Sequence, residues 1–307
     1  MDKDNGASSG EDRATAAAQS NPQAVSSKAG IPSADKTALS FWFPKVLAAG
    51  LPVPKTAIVE MPEAAHYAVG ATLWGEQVDA APIEAFLTDL RAFAADFGAP
   101  FFLRTDHTSG KHYWDTACFV SDLEKLGDHV FAISEFSEIC DMFGLPRRNW
   151  VVRELLPTMP VGTCPNYGNM PVCKEFRFFV NGPEVECFHP YWPRFALEQG
   201  GCDLSDEVFH ALCSPDNEDE LRGIASLAGQ SLGGRWSVDL LETSRGWFLT
   251  DMAEAEKSFH WEGCPAQAIE ARQGGDGTAP SRSDESAVAE GHAPNPIPDT
   301  EKTHDPR

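Results

Sequence analysis

Two aspartates in the C-terminal half of the chain are spaced to act together. Asp239 lies within an apolar run, and Asp251 ends the next apolar run. Thr243-Ser244-Arg245-Gly246 between the runs predicts a hairpin, and a turn centred on Arg245 would place the two carboxylates opposite each other. Facing like charges destabilise a sheet, whereas a hard cation such as Mg²⁺ uses them as ligands. The hairpin therefore indicates a metal site, with Glu254 as a third candidate ligand, unless a one-residue register shift puts the aspartates on opposite faces.

A loop further upstream carries cations that suit phosphate oxygens. Arg104 ends the short apolar strand Phe101-Phe102-Leu103-Arg104, and Lys111 follows Ser109-Gly110. Backbone N–H groups in such loops, together with Arg and Lys side chains, bind phosphates. The glycine spacing and the following sequence differ from those of a Walker loop. The alternative is a surface loop with two unremarkable cations.

Two other strands carry weaker signals. In the alternating segment 174–180, Glu175 and Arg177 share one face and phenylalanines share the other. This places another cation beside buried aromatic rings, although a solvated charge ladder has the same pattern. The apolar strand 150–156 runs into Pro157, and backbone groups at such a strand end can bind the edge of an adenine. An ordinary exit from strand to loop is the alternative.

These residues lie among predicted helices and hairpins. Hydrophobic periodicity predicts amphipathic helices over 82–97 and 218–232 and a helical patch over 137–143. Strands are predicted over 57–60, 101–104, 129–133 and 149–154, and hairpins over 175–180/184–189 and 236–242/247–252. Because helices alternate with hairpins rather than with single parallel strands, the pattern favours an α+β fold over a doubly wound sheet.

Composition narrows the possible functions. The 307 residues include 24 Lys and Arg against 46 Asp and Glu, which gives a formal charge of −22. This charge argues against a broad nucleic-acid surface but leaves room for a small basic pocket. No apolar run is long enough for a membrane span, and no secretory signal is visible, so we expect a cytoplasmic protein. Residues 1–36 and 265–307 have few large apolar side chains, and we expect disordered tails there.

Eight cysteines are scattered through residues 118–264. None forms a CxxC motif and no histidine pair has zinc-finger spacing, so the zinc signal is weak. Scattered reduced thiols are the favoured interpretation. Cys164 and Cys173, which bracket a stretch rich in Gly, Pro and Asn, are the one candidate for an interacting pair.

The order of these motifs resembles the ATP-grasp fold, in particular the divergent branch that includes the eukaryotic cell-division-cycle 123 (D123) proteins and their phage and bacterial relatives. The resemblance covers roughly residues 37–264. The motifs that carry it are Arg104 with Ser109-Gly110-Lys111, Arg153-Glu154-Leu155, Glu175-Phe176-Arg177-Phe178-Phe179-Val180, and Val238-Asp239-Leu240 with Phe248-Leu249-Thr250-Asp251.

The resemblance implies an α+β fold with antiparallel sheets and packed helices, in which a nucleotide is held between two lobes. It implies an N-terminal lobe over 37–100 and a nucleotide-binding region over 101–264. The implied roles are phosphate contacts from Arg104, Lys111 and Arg177, the last two also catalytic, an adenine-contacting hinge at Arg153, Glu154, Leu155 and Leu156, and Mg²⁺ ligands at Asp239 and Asp251, with Glu254 as a substitute third ligand. These families usually have Asn or Asp two residues after the last Asp, where this chain has Ala253.

The function implied is an ATP- and Mg²⁺-dependent ligase-type enzyme that activates a carboxylate or similar group for an unidentified acceptor. The alternative is an ATP-binding assembly factor or chaperone of the D123 type, with a protein client and little or no turnover. Ala253 keeps a degenerate site open as a third possibility. Ser258 and His260 would line the rim of the site, unless they are simply polar residues of a solvated loop.

Overall fold

The structure, a computed structural model, describes residues 33–140, 144–262 and Cys264. The predicted tails, 1–36 and 265–307, lie outside the described residues apart from residues 33–36. Seven helices are described: α1 (Leu39–Ala48), α2 (Glu63–Leu73), α3 (Ala81–Ala95), α4 (Leu126–Ile139), α5 (Arg194–Gln199), α6 (Asp206–Leu212) and α7 (Glu218–Leu232). None of the described helices has the length and apolar character needed to cross a membrane.

The first sheet is antiparallel and has the strand order β1-β4-β2-β3. Its strands are β1 (Thr56–Glu60), β2 (Phe101–Thr105), β3 (Phe119–Val120) and β4 (Asn149–Glu154). One face buries Leu103 and Trp150 against α2, α3 and α4. In α3, Pro82 sits in the first turn, where its missing N–H costs nothing, and Phe86 and Leu90 supply the buried stripe. The helix predicted over 82–97 is therefore present as α3.

The second sheet is also antiparallel, with the order β10-β9-β7-β8. Its strands are β7 (Glu175–Asn181), β8 (Glu184–Pro190), β9 (Arg235–Thr243) and β10 (Gly246–Glu254), while β5 (Gly162–Cys164) and β6 (Met170–Val172) pair separately. Alternate residues of β7, including Phe176 and Phe178, pack with Trp42 of α1 and Leu221 of α7 in one core. The other face of this sheet carries charged side chains. Two predicted hairpins and the α+β class with antiparallel sheets are thus confirmed.

The strand predicted over 129–133 is wrong, because these residues lie inside α4. Leu126, Val130 and Ile133 are all buried and recur at helical spacing, whereas the short apolar run at 129–133 alone cannot distinguish a strand from a buried helix. The predicted helical patch over 137–143 is the end of the same helix, which stops at Ile139. Residues 141–143 lie outside the described residues.

Helix α1 links the two sheets. Its apolar side belongs to the core of the second sheet, and its first turn is fixed to the loop after β2 by the buried carboxylate of Asp106. Asp106 accepts hydrogen bonds from the Ser40 backbone N–H at 3.1 Å, the Ser40 hydroxyl at 2.8 Å and the Asn149 amide at 2.7 Å. These bonds satisfy a donor that a helix N-terminus leaves open.

The predicted division into a lobe at 37–100 and a region at 101–264 stays a prediction. Strand β1 comes from the first of these parts, yet it pairs with β4 from the second through five residue pairs, from Thr56 opposite Arg153 to Glu60 opposite Asn149. The first sheet therefore contains strands from both predicted parts.

Candidate functional site

The hairpin β9–β10 places Asp239 opposite Asp251. A β-bulge aligns the two residues, which the sequence pattern does not predict. Pairing is regular from Thr243 opposite Gly246 to Leu240 opposite Leu249, so the turn contains two residues and is not centred on Arg245. Continued without a break, this register would put Thr250 opposite Asp239. A β-bulge between Leu249 and Asp251 adds one residue to β10 and restores the facing pair.

Each of the two aspartates is paired with its own arginine. Arg177 on β7, the strand next to β9, donates to both carboxylate oxygens of Asp239, through Nε at 2.8 Å and Nη2 at 2.9 Å. Arg104 reaches across from β2 of the first sheet and donates from Nη1 to Asp251 at 2.9 Å. The repulsion between facing carboxylates is thus offset by charge-assisted hydrogen bonds, and the site lies where the two sheets meet.

Lys111 lies against the same group of charges. It follows Gly110, whose left-handed φ of 58° and close approach to the Ala117 side chain, at 3.3 Å from an added Cβ, favour glycine. The ammonium of Lys111 lies 4.1 Å from the ring centre of Tyr191, and the Arg177 guanidinium lies 5.0 Å from the same ring. Burial opposes the charge of Lys111, but Tyr191 and the neighbouring carboxylates raise its pKa above the usual range. Lys111 is therefore a permanent cation of this cluster.

Glu175 is the third carboxylate of the cluster, and it is buried. It lies on the same face of β7 as Arg177, and the Thr250 hydroxyl lies 3.4 Å from its Oε1. The pKa of Glu175 is raised to about 7: burial is the largest cause, Asp239 and Asp251 act in the same direction, and Lys111 and Arg177 oppose them. Glu175 therefore exchanges a proton near neutral pH, whereas Arg104 and Arg153 hold the pKa of Asp251 below its usual value, against the effect of burial.

Arg153 contributes through its side chain, whereas the sequence pointed to its backbone. Its Nη1 donates to the Thr250 carbonyl at 2.5 Å, at the bulge. Its Nε and Nη2 are buried and find no hydrogen-bond partner among the described residues. Burial, together with the nearby Arg104, lowers the pKa of Arg153 to about 9. A buried guanidinium with two unused donors is a ready contact for an anion.

The other residues of the predicted hinge have different surroundings. The Glu154 carboxylate accepts from the Lys55 backbone N–H at 2.8 Å and pairs with Arg245 at 2.9 Å. The Leu156 carbonyl accepts from the Thr158 N–H at 2.8 Å. Leu155 lies between them and is partly buried. An adenine contact at this hinge stays a prediction.

Glu254 points away from the pair of aspartates. It is three residues beyond Asp251 with regular pairing between them, so the two side chains project from opposite faces of β10. Its carboxylate pairs with Lys257 at 2.8 Å and with Lys36 at 3.8 Å. Ala253, on the same face as Asp251, lies opposite Ser237. A role for Glu254 as a metal ligand stays a prediction.

The predicted rim residues Ser258 and His260 both contact neighbouring side chains. The hydroxyls of Ser258 and Ser237 lie 2.7 Å apart, next to Ala253 on the site face. His260 is buried and stacks on Phe179 with 3.5 Å between ring centres, so it is not part of a solvated loop.

The sequence also pointed to Cys164 and Cys173 as a pair. Both are buried free thiols. The thiol that interacts with Cys164 is Cys202, which together with burial raises the pKa of Cys164 to about 12. Tyr191, between Lys111 and Arg177, was not predicted, because only the pairing of β7 with β8 brings the end of that hairpin back to the cations.

Known proteins resemble this chain in structure but not in sequence. No family model and no curated protein matches the chain. Similar solved structures include Cdc123 from Schizosaccharomyces pombe, at 14% identity over 76% of this chain and 89% of that one, with a TM-score of 0.47. They also include a RimK domain ATP-grasp protein from Sphaerobacter thermophilus, at 15% identity over 75% and 61% of the two chains, with a TM-score of 0.38.

A third similar structure is the ATP-grasp ligase PsnB complexed with a minimal precursor, at 13% identity over 77% of this chain and 61% of that one, with a TM-score of 0.40. Cdc123 and ATP-grasp proteins are thus among the similar structures, and the order of the sequence motifs resembles the same two groups. At these identities and TM-scores the likeness carries no conclusion about function.

Proposed function

We propose that the charged cluster binds the phosphates of ATP together with Mg²⁺, and that the chain is an ATP-dependent ligase-type enzyme. The observation that carries the proposal is the convergence of four cations on one pair of facing carboxylates, Asp239 and Asp251. The cations come from four different places in the chain: Arg104 on β2, Lys111 at the start of the short 3₁₀ helix that follows it, Arg153 on β4 and Arg177 on β7.

A triphosphate suits this cluster in both charge and hydrogen bonding. Four cations face three carboxylates, and burial raises the pKa of one of these, Glu175. An added polyanion therefore meets a net positive environment inside an acidic protein. The two buried donors of Arg153 that lack partners among the described residues would gain acceptors from phosphate oxygens. Charge-assisted bonds of this kind are the strong ones in proteins.

The donors at Asp239 and Asp251 fit a magnesium ion. Both are carboxylates, which are the hard oxygen ligands that Mg²⁺ prefers, and they face each other across one ladder. Each carboxylate oxygen has lone pairs beyond those used by Arg177 and Arg104. The Asp251 side chain is 40% exposed, so an ion has access to it. When bound, the ion would neutralise charge on the phosphates.

The residues of the chain would stabilise charge and position the phosphates rather than form a covalent bond. Arg104, Lys111 and Arg177 would bind the oxygens of the transferred phosphoryl group, where negative charge is spread in the transition state. A carboxylate substrate would attack the terminal phosphorus of ATP, which forms an acyl phosphate and releases ADP. An amine or thiol acceptor would then attack the acyl carbon and displace inorganic phosphate. Such a reaction needs no nucleophile from the protein. A nucleotide held between the two sheets, with adenine at the hinge 153–156, belongs to this proposal.

A second function has one observation in its favour. Ala253 lies on the site face beside Asp251, at the position where the resemblance leads us to expect an Asn or Asp ligand. A site with two ligands instead of three would hold Mg·ATP with slow or no turnover. The chain would then be an ATP-binding assembly factor or chaperone with a protein client.

Calorimetric titration of ATP in the presence of Mg²⁺ tests both functions. We expect Asp239→Ala combined with Asp251→Ala to abolish binding of Mg·ATP. Asp206→Asn, which changes a fully exposed carboxylate paired with Arg194, is the control and should bind as the wild type does. Unchanged affinity in the double variant would contradict both functions. Acceptor-dependent release of ADP and phosphate would support the enzyme, and tight binding without release under any acceptor would support the assembly factor.

A further inference from the structure

Four side chains that commonly bind metals meet at the β8 edge of the second sheet. Cys187 and His189 come from β8, and His260 and Cys264 come from the segment that follows β10. One ligand atom from each residue lies within 4.8 Å of the others. This cluster of two thiols and two imidazoles is separate from the pair of aspartates.

The fold explains how these distant residues come together. Cys187 and His189 are two residues apart on one strand, so their side chains project from the same face. The chain leaves β10, passes a short 3₁₀ turn and returns over that face, where the hydroxyl of Ser258 meets that of Ser237 at 2.7 Å. His260 and Cys264, four residues apart, then lie above β8. The sequence signal is a C-x-H pair and an H-x₃-C pair separated by about 70 residues, and neither has the spacing of a zinc finger.

The distances resemble those of a tetrahedral centre. The Cys187 Sγ lies 3.7 Å from Nε2 of His189 and 3.9 Å from Nδ1 of His260. Zinc bonds of about 2.3 Å to sulfur and about 2.0–2.1 Å to nitrogen give a sulfur–nitrogen separation of about 3.6 Å at a tetrahedral angle. Small movements of the side chains would therefore bring the four ligand atoms to bonding distance.

Neighbouring aromatic rings hold the two imidazoles in place. His260 stacks on the buried ring of Phe179, with 3.5 Å between ring centres and 21° between planes. The ring of His189 is nearly parallel to that of Trp261, at 6.2 Å and 8°. Packing of this kind orients metal ligands.

The charge balance suits a divalent ion with soft ligands. Two thiolates neutralise a 2+ ion, so the complete centre can be buried without net charge. Neutral imidazoles add no charge to such a centre, and each donates a lone pair from one ring nitrogen.

We infer that Cys187, His189, His260 and Cys264 form a structural zinc site. Thiolate and imidazole ligands in a tetrahedral arrangement select Zn²⁺ over the oxygen-seeking Mg²⁺. Four protein ligands leave no open position, so the ion fixes the structure and takes no part in a reaction. It joins the segment 258–264 to β8, one strand away from Arg177, which lies opposite His189 in the ladder. The inference does not depend on the proposed nucleotide function.

The full chain, purified under reducing conditions without added metal, tests this inference by elemental analysis. We expect about one zinc per chain. After removal of the metal, Co²⁺ titration should produce the thiolate-to-cobalt charge-transfer band and the d–d bands of a tetrahedral centre, and Zn²⁺ should displace them. Cys187→Ser and Cys264→Ser should each lose the charge-transfer band in large part together with the bound zinc. Cys213→Ser, which changes a thiol at the end of α6, is the matched control and should behave like the wild type.

A second measurement covers the case in which the variants do not fold. In the wild type, Zn²⁺ should protect Cys187 and Cys264 from alkylation, as mapped by mass spectrometry, and Mg²⁺ should not. Absence of the cobalt bands in the wild type, or their retention in both Cys187→Ser and Cys264→Ser, would overturn the inference. So would equal alkylation of the two thiols with and without Zn²⁺, or a Cys187–Cys264 disulfide in the protein as purified.

Discussion

Arg177 and Asp239 form a two-pronged ion pair across neighbouring strands of the second sheet, with nitrogen–oxygen distances of 2.8 and 2.9 Å. The two residues lie directly opposite each other in the β7–β9 ladder, and Asp251 lies opposite Asp239 on the other side. The side chain of Asp239 is only 6% exposed. The pair therefore fixes both the negative charge and the cation of the candidate site in one position.

Replacement of Arg177 by lysine tests whether ATP binding needs the paired hydrogen bonds of Arg177 in addition to its positive charge. Lys keeps the positive charge but cannot donate two parallel hydrogen bonds to a carboxylate. We expect Mg·ATP affinity to fall about 10-fold or more, because a hydrogen bond to a charged group contributes about 1.5–3 kcal/mol. Calorimetric titration measures this effect. Arg194→Lys alters a pair with the exposed Asp206 and should change affinity little; equal affinities in the two variants would contradict the role given to Arg177.

Arg153 should show a trade-off between stability and binding. Its two buried donors without partners among the described residues cost free energy in the nucleotide-free protein. We expect Arg153→Met to leave the free energy of unfolding unchanged or to raise it by about 1–2 kcal/mol. The same variant should bind ATP about 10-fold more weakly. Urea unfolding and titration calorimetry give the two quantities, and a loss of several kcal/mol in stability would show that Arg153 is structural.

Glu175 should make folding stability depend on pH. The folded protein holds the Glu175 proton until about pH 7, whereas the unfolded chain releases it near its ordinary value of 4.5. As pH rises between these values, the unfolded state loses its proton first and is favoured. The contribution of Glu175 is thus fully present below about pH 4.5 and is lost as pH rises through about 7.

The measurement is urea unfolding at pH 5 and pH 8 without nucleotide. The wild type should lose stability relative to Glu175→Gln between these two pH values, since glutamine has no proton to release. Glu198→Gln, at an exposed position of α5, should follow the wild type. Parallel pH dependence of the wild type and Glu175→Gln would show that Glu175 is already ionised in the folded state at pH 5.

Gly229 permits the close packing of α7 on the β7–β8 hairpin. A Cβ at this position would overlap the Gly182 carbonyl oxygen and would come within 2.7 Å of the Val180 side chain. We expect Gly229→Ala to destabilise the protein by about 1–3 kcal/mol or more in thermal or urea unfolding. Gly223→Ala, in the same helix with open space around it, should stabilise the protein by about 0.5–1 kcal/mol. Similar effects from both substitutions would show that α7 can move away from the hairpin.

Local sequence patterns predicted the helices and hairpins whose characteristic pattern lies within a single stretch of the chain. The hairpins were predictable because alternating residues and turn residues lie within one short stretch, and α7 because its apolar stripe spans four turns. α4 was partly missed, since a five-residue apolar run has no distinguishable period.

The candidate site was predictable only where one strand or loop contains the residue. Arg104, Lys111, Arg177, Asp239 and Asp251 all stand out in their own segments. The buried side chain of Arg153 and the ring of Tyr191 join the cluster because the two sheets meet, and no local pattern encodes that meeting. The same holds for the four cysteine and histidine ligands, whose two halves are about 70 residues apart.

The bulge at Thr250 has a consequence for how this hairpin can vary. Eleven residues separate Asp239 from Asp251, and an odd number can bring two residues face to face only if the turn has an odd length or one strand has an extra residue. This chain uses a two-residue turn with one extra residue in β10. A three-residue turn with an unbroken ladder would oppose the same two aspartates. An odd number of residues between the two aspartates therefore allows facing carboxylates, whether the extra residue lies in the turn or in a strand.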